Sequence, residues 1–157
     1  YAFIITMFCV HPGDPLGMLD TFPFRIRNVR YKHILQYVLC QRAVLADDHE
    51  AFRAIRNMQC HKKMLHRAQR VSMDTELMWE DIAYQACVEA ARVKYNGACQ
   101  HELMVSGQIM YICDDVFWGT AGSEAGVMIG IPFRGQNVYG KVLSKVRQEI
   151  VEKDAQA

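Results

Sequence analysis

The chain has 157 residues, 51% of them hydrophobic and 22% charged, and its 18 Lys and Arg against 17 Asp and Glu leave a formal net charge of +1. That length suits one domain around a continuous core, and the composition is that of an ordinary globular protein. So balanced a charge gives no strong electrostatic signal for nucleic acid or for an anionic membrane surface.

The first ten residues, Tyr1 to Val10, are hydrophobic but lack a basic leader and fall short of a membrane span, so they read as a buried first strand. The chain opens on tyrosine rather than methionine, which leaves room for residues before it. His11 to Gly17 holds two prolines and two glycines and predicts a loop, with a second strand over Phe22 to Ile26. From Tyr31 to Ala43 the pattern is helical, with Ile34, Leu35, Val38 and Leu39 on one face. Asp47 and Asp48 supply a cap and first-turn charge for a helix to about Met58, and His61 to Arg70 reads as another short helix.

The strongest helix is expected over Thr75 to Asn96, with Asp74 as cap, Glu76 in the first turn and Asn96-Gly97 as a left-handed stop. Trp79, Ile82, Ala86, Ala90 and Val93 would form its buried stripe. After a short segment near Leu103, buried strands are predicted at Ile109 to Cys113 and Val127 to Phe133. A last helix starts at Asn137, buries Tyr139, Leu143, Val146 and Ile150, and frays over Glu152 to Ala157. The sum is a helix-rich, single-domain α+β fold over residues 1–157 with a small sheet and no βαβ alternation.

Six cysteines are spread without a Cys-x-x-Cys pair, and Cys40, Cys87 and Cys113 sit in apolar stretches where a thiol behaves as a small hydrophobe. This predicts a reducing, intracellular compartment. Cys60-His61 with His66, and Cys99 with His101, match no zinc spacing, so no metal is expected. No cofactor motif is present either: there is no phosphate-binding glycine loop, and Gly122-Ser123-Glu124-Ala125-Gly126 does not have a nucleophile-elbow spacing.

Two motifs carry the chemistry. Asp115-x-x-Trp118-Gly119 offers a carboxylate and a broad aromatic face, and Gly135-x-Asn137-x-x-Gly140 offers an amide at the start of the last helix. A helix N-terminus attracts phosphate and an indole stacks on flat rings, so the pair is expected to converge on a hollow that grips a ribose phosphate or a base. Asn137 also suits the cap of that helix, and Asp115 suits a turn before Trp118. Arg42, Arg67 and Arg134 are candidate phosphate clamps by charge and reach, against the plainer reading of surface arginines.

Laid along the chain from Phe3 to Ile150, these motifs resemble the NADAR or YbiA-like family. Leu19-Asp20-Thr21-Phe22 stands for the family's Leu-Ser-Asn-Phe loop, Arg67 for the arginine of Gly-Arg, Lys94-Tyr95 for Lys-Phe and Ser106-Gly107 for Thr-Gly. The resemblance implies hydrolysis of N-glycosidic bonds in ribosylated metabolites or ADP-ribosylated groups, with Asp115 catalytic and Trp118, Gly119, Asn137, Gly140, Arg42 and Arg67 binding substrate. The family's first helix carries Glu-His-Tyr-x-Gln-x-x-Lys, whose glutamate is held to be catalytic. Without a gap, that glutamate becomes Leu35, and in a shifted register Lys32, so neither alignment recovers a carboxylate. Ala83 and Cys87 replace an arginine and a methionine of the long helix. Three functions follow as expectations: an N-glycosidase relying on Asp115, a nucleotide- or ADP-ribose-binding protein with reduced or lost turnover, or a structural module of a larger assembly. For the last, Met58, Met64, Met73 and Met78 would be a partner face, against the plainer reading of core fillers.

Overall fold

The computed structural model describes residues 6–73, 78–97, 99–105 and 107–157. The expectations for Phe3, Asp74, Thr75, Glu76 and Ser106 lie outside these residues. The chain folds as two compact units, one formed by the two chain ends up to Asp20 and from Tyr95 onward, the other by Thr21–Lys94.

In the first unit, β1 (Met7–Val10) pairs in parallel with β4 (Gln108–Tyr111), Met7 opposite Gln108 and Val10 opposite Tyr111. β4 is buried from Ile109 onward, whereas β1 is buried only at Val10, so the described part of the first strand is a half-exposed partner rather than a core strand. Helix α7 (Val138–Ala155) packs on β4 through Val138, Tyr139, Val142, Leu143 and Val146. Tyr139 meets Tyr111 edge-on at 4.6 Å between ring centres and donates its hydroxyl proton to the Leu16 carbonyl. The last helix continues to Ala155, through the stretch expected to fray.

The strand expected over Val127 to Phe133 does not form. Ser123 accepts the Gly126 N–H and starts a short helix, α6 (Glu124–Met128), which ends at Gly130 with φ +85°. A local cap and a glycine in the left-handed region override the apolar run, and Ile129 remains 76% exposed.

The second unit opens with a hairpin, β2 (Phe24–Ile26) against β3 (Val29–Tyr31). Arg27 and Asn28 form its two-residue turn with φ values of 49° and 66°, the paired left-handed conformation that matches strand twist. Phe24, Tyr31 and Tyr37 cluster behind it. Helices α1 (Ile34–Leu45), α2 (His49–Asn57), α3 (His61–Gln69) and α4 (Trp79–Lys94) make up the rest, with α1 central and packed on the other three. Asp48 caps α2 through the Ala51 N–H, as its sequence position predicts. The buried stripe of α4 is rotated from the expected one: Ala83, Ala86, Cys87, Ala90 and Ala91 face inward, whereas Val93 is exposed and Trp79 and Ile82 are half-buried. Small side chains let α4 approach α1 closely, so small residues rather than large ones mark the contact. Met64 is a core filler as expected, while Met78 is exposed.

Among the described residues, no helix is long and apolar enough to cross a membrane.

Candidate functional site

In the first unit the two motifs are woven together through the backbone. Consecutive N–H groups from Gly135 to Tyr139 donate to carbonyls between Val116 and Thr120: Gly135 to Thr120 at 2.8 Å, Gln136 to Val116 at 2.7 Å, Asn137 to Gly119 at 3.0 Å, Val138 to Phe117 at 3.1 Å and Tyr139 to Trp118 at 3.0 Å. At the head of α7 the Val138 and Tyr139 N–H groups are therefore already answered by carbonyl oxygens, against the expectation of an anion seat there.

Asp115 is exposed, and its Oδ1 accepts the N–H groups of both Phe117 and Trp118 at 2.8 Å. It closes the turn that presents those carbonyls to α7. Trp118 is half-buried, its ring edge-on to Phe117 at 4.7 Å. Asn137 is 4% exposed and sits at the cap position with φ 52°, but its side chain makes no cap bond. Instead its Oδ1 accepts the Tyr111 N–H at 2.8 Å and its Nδ2 donates to the Ile109 carbonyl at 2.9 Å. The expected cap is thus a cross-brace from α7 to the last strand, able to form because the left-handed backbone turns the amide inward.

The glycines are explained by packing. A Cβ on Gly140 would lie 2.3 Å from the Ile109 carbonyl oxygen and 2.6 Å from the Asn137 amide, and one on Gly119 would meet Cys113 Sγ at 2.4 Å. Gly135, singled out only as part of its motif, approaches the Gly119 carbonyl oxygen so closely that a Cβ would lie 2.0 Å from it. A Gly140→Ala variant is therefore expected to lose about 3 kcal/mol in urea unfolding, the upper range for overpacking against backbone. A loss under about 1 kcal/mol would show that α7 has room to shift.

Asn137 and Gly140 line a cavity of about 410 Å³ with Ile109, Phe133, Gln136 and Lys141, and Asp115 and Trp118 are not in its wall. The carboxylate and the indole of the motif therefore do not share this hollow with the amide.

In the second unit, Arg42 is buried. Its Nε donates to the Ala68 carbonyl at 3.1 Å and its Nη2 to the Val71 carbonyl at 3.2 Å, with the guanidinium 5.2 Å from the centre of the Trp79 ring. In this structure its guanidinium braces the C-terminal end of α3. Arg67 is half-buried and lines a basic cleft of about 340 Å³ with Lys62, Lys63, His66 and Arg70. Arg134 is exposed.

At the head of α1, where the shifted register of the family motif keeps its histidine and glutamine as His33 and Gln36, the structure builds a cap and a tie. His33 caps the helix, its Nδ1 accepting the Gln36 N–H at 3.1 Å. Gln36, fully buried, accepts the Lys32 N–H at 2.8 Å and donates to the carbonyls of Ile55 and Arg56 at 3.1 and 2.9 Å. A lone glutamine inside Ile34-Leu35-Gln36-Tyr37-Val38 was the available signal. Leu35 is 8% exposed and belongs to the core, and α1 contains no acidic residue from Ile34 to Leu45.

Burial, helped by Lys94, His61 and Lys32, lowers His33 from its ordinary value of 6.5 to about 4. A cation at a helix N-terminus is also opposed by the helix dipole. The unfolded chain takes up a proton near pH 6.5 that the folded ring refuses until about pH 4. This contribution is therefore complete above pH 6.5 and declines as the pH falls towards 4. Between pH 7.5 and 4.5 it should remove about 2–3 kcal/mol of stability. His33→Asn, which keeps a capping side chain but does not titrate, should flatten that part of the pH profile in urea unfolding; an unchanged slope would contradict the assignment.

All six cysteines are free thiols. Cys60 is exposed, and the Lys63 and Lys62 N–H groups at the start of α3 lower its pKa, whereas burial raises those of Cys9, Cys40, Cys87 and Cys113. Cys60 should therefore be alkylated first by iodoacetamide, as read by peptide mass spectrometry. First labelling at another cysteine would contradict this. No cluster of metal-ligating side chains occurs among the described residues.

The family model of the NADAR domain matches residues 11–151, which covers segments of both units. The chain belongs to the NADAR domain family. An N-glycosidase of Acanthamoeba polyphaga mimivirus is 29% identical over 124 residues, covering 73% of this chain and 71% of the relative. The NMR structure of the Escherichia coli protein YbiA matches all of this chain and 92% of its own with a TM-score of 0.77 at 14% identity, a likeness of fold.

Proposed function

We propose that this chain is a NADAR-family protein that binds a ribosylated, nucleotide-like ligand of the ADP-ribose or riboflavin-intermediate type and has lost most or all hydrolysis of its N-glycosidic bond. Cleaving such a bond passes through an oxocarbenium-like state that needs one carboxylate for charge or water and a second group for the departing base. The observation that carries the reading is the absence of any acid in α1, where the family holds its glutamate. Leucine at position 35 cannot assist in any protonation state, and acid–base assistance alone is worth about 10²–10⁴-fold. Asp115 is the remaining catalytic candidate, but its Oδ1 is engaged by two backbone N–H groups that hold it as a turn residue.

In this reading Trp118 offers the stacking surface within the first unit, and Gly119, Asn137 and Gly140 hold the backbone of the two interlocked motifs behind it. ADP-ribose should raise the melting temperature of the chain by a few degrees while no free base appears by chromatography. Base release that stops in Asp115→Ala would restore the glycosidase reading, and neither effect would favour a structural module.

A further inference from the structure

Outside the two motifs, the second unit holds a cleft of about 520 Å³ lined by Thr21, Pro23, Arg30, Lys32, His33, Gln36, Arg56, Asn57 and Gln59. Three of these side chains are cationic and none is acidic. The asymmetry extends along the chain: between Glu50 and Asp74 there is no acidic residue, although Arg53, Arg56, Lys62, Lys63, Arg67 and Arg70 all fall there. Among the described residues neither Arg30 nor Arg56 is held by a carboxylate. Lys32 is anchored at the cleft by donating to the Met58 carbonyl, which keeps its charge in place.

The independent observation is His33. It is 5% exposed, and its Nδ1 is occupied as acceptor of the Gln36 N–H. A neutral ring with an accepting Nδ1 carries its proton on Nε2. No hydrogen bond engages that N–H among the described residues, and because no fully buried side-chain nitrogen or oxygen there lacks a partner, Nε2 opens onto the cleft whose wall the ring helps to form. A donor on a mostly buried ring, opening onto a cavity ringed by cations, is arranged for an oxyanion.

We propose that this cleft binds a phosphate-bearing anion, with phosphoryl oxygens meeting Arg30, Lys32 and Arg56 and accepting the His33 Nε2–H. The volume exceeds what a single phosphate fills, which leaves room for a diphosphate or for the organic part of an ester. The nearby cleft of Lys62, Lys63, Arg67 and Arg70 shares the charge but contains no such buried donor, so it adds attraction without fixing a position. The site goes beyond the function proposed above and does not depend on it: a phosphate would seat here whether or not a ribosylated ligand binds or is cleaved.

The test is calorimetric titration of the whole chain with inorganic pyrophosphate at pH 7.5, with a nucleoside diphosphate as a second arm. One equivalent of pyrophosphate should bind, and Arg30→Gln with Arg56→Gln should weaken it about tenfold or more, as expected for charge-assisted bonds. His33→Asn, which keeps the helix capped, should weaken it several-fold, while Lys63→Gln in the neighbouring cleft should leave it within about twofold. Tighter binding of the nucleoside diphosphate would identify an ester as the ligand class, and equal binding a free diphosphate. No saturable binding at millimolar pyrophosphate would overturn the proposal. So would equal weakening by Lys63→Gln and Arg56→Gln, which would mark a diffuse basic face, or single-stranded oligonucleotide binding that ignores the Arg30, Arg56 and His33 variants.

Discussion

Asn137→Ala is expected to lose about 3–5 kcal/mol of stability, several times the roughly 1 kcal/mol of an ordinary helix cap. The side chain answers two buried backbone groups of β4, the Tyr111 N–H and the Ile109 carbonyl, and truncation removes both of these bonds. Each such loss costs about 1–3 kcal/mol. The left-handed backbone at φ 52° adds strain for alanine that asparagine tolerates better. Asn137→Gly should recover the strain but not the bonds, and Asn137→Asp should keep the acceptor while placing an anion against the Ile109 carbonyl. Urea unfolding of the three variants separates these effects. A loss near 1 kcal/mol for Asn137→Ala would mean that the residue is only a cap.

Arg42→Ala should cost about 3–5 kcal/mol, because the variant removes a buried cation whose donors satisfy the Ala68 and Val71 carbonyls and whose face lies over Trp79. Arg42→Lys retains the charge but offers neither the planar fork nor the stacking surface, and should recover less than half of the loss. A ligand clamp would behave in the opposite way, keeping its stability and losing affinity. Comparing urea midpoints with ADP-ribose affinity for the two variants distinguishes these roles. An unchanged midpoint with weakened binding would return Arg42 to the substrate.

The helices were legible because their signals are local. Asp48, the Ile34 to Leu39 periodicity and the Gly97 stop, which lies at φ +109°, each act within one or two turns. What was hidden depends on partners far along the chain. Of the expected contact face of α4, Ala86 and Ala90 are buried, but close approach to α1 replaces Trp79, Ile82 and Val93 with Ala83, Cys87 and Ala91. β3 is three residues long, and its turn is set by two left-handed residues, Arg27 and Asn28, of which only asparagine is a usual signal. The run from Val127 to Phe133 had the apolar content of a strand, and the cap at Ser123 decided otherwise.

The site divides in the same way. Spacing identified Asp115, Trp118, Gly119, Asn137 and Gly140 as a set, and the structure interlocks the two segments that carry them. Their chemistry was less legible, because a carboxylate bound by its own turn and an amide bound by a strand read in sequence like groups awaiting a ligand. His33 and Gln36 stood out only as matches to the family motif in the shifted register, since the tie from Gln36 to the Ile55 and Arg56 carbonyls depends on a distant segment.

The claim that this NADAR-family chain retains binding without turnover meets its most direct test in single-turnover incubation of excess protein with a ribosylated nucleotide, followed by chromatography of the free base. The account predicts base no faster than in buffer alone, together with a saturable rise in melting temperature from ADP-ribose. Base released in proportion to protein, and abolished by Asp115→Ala, would contradict it.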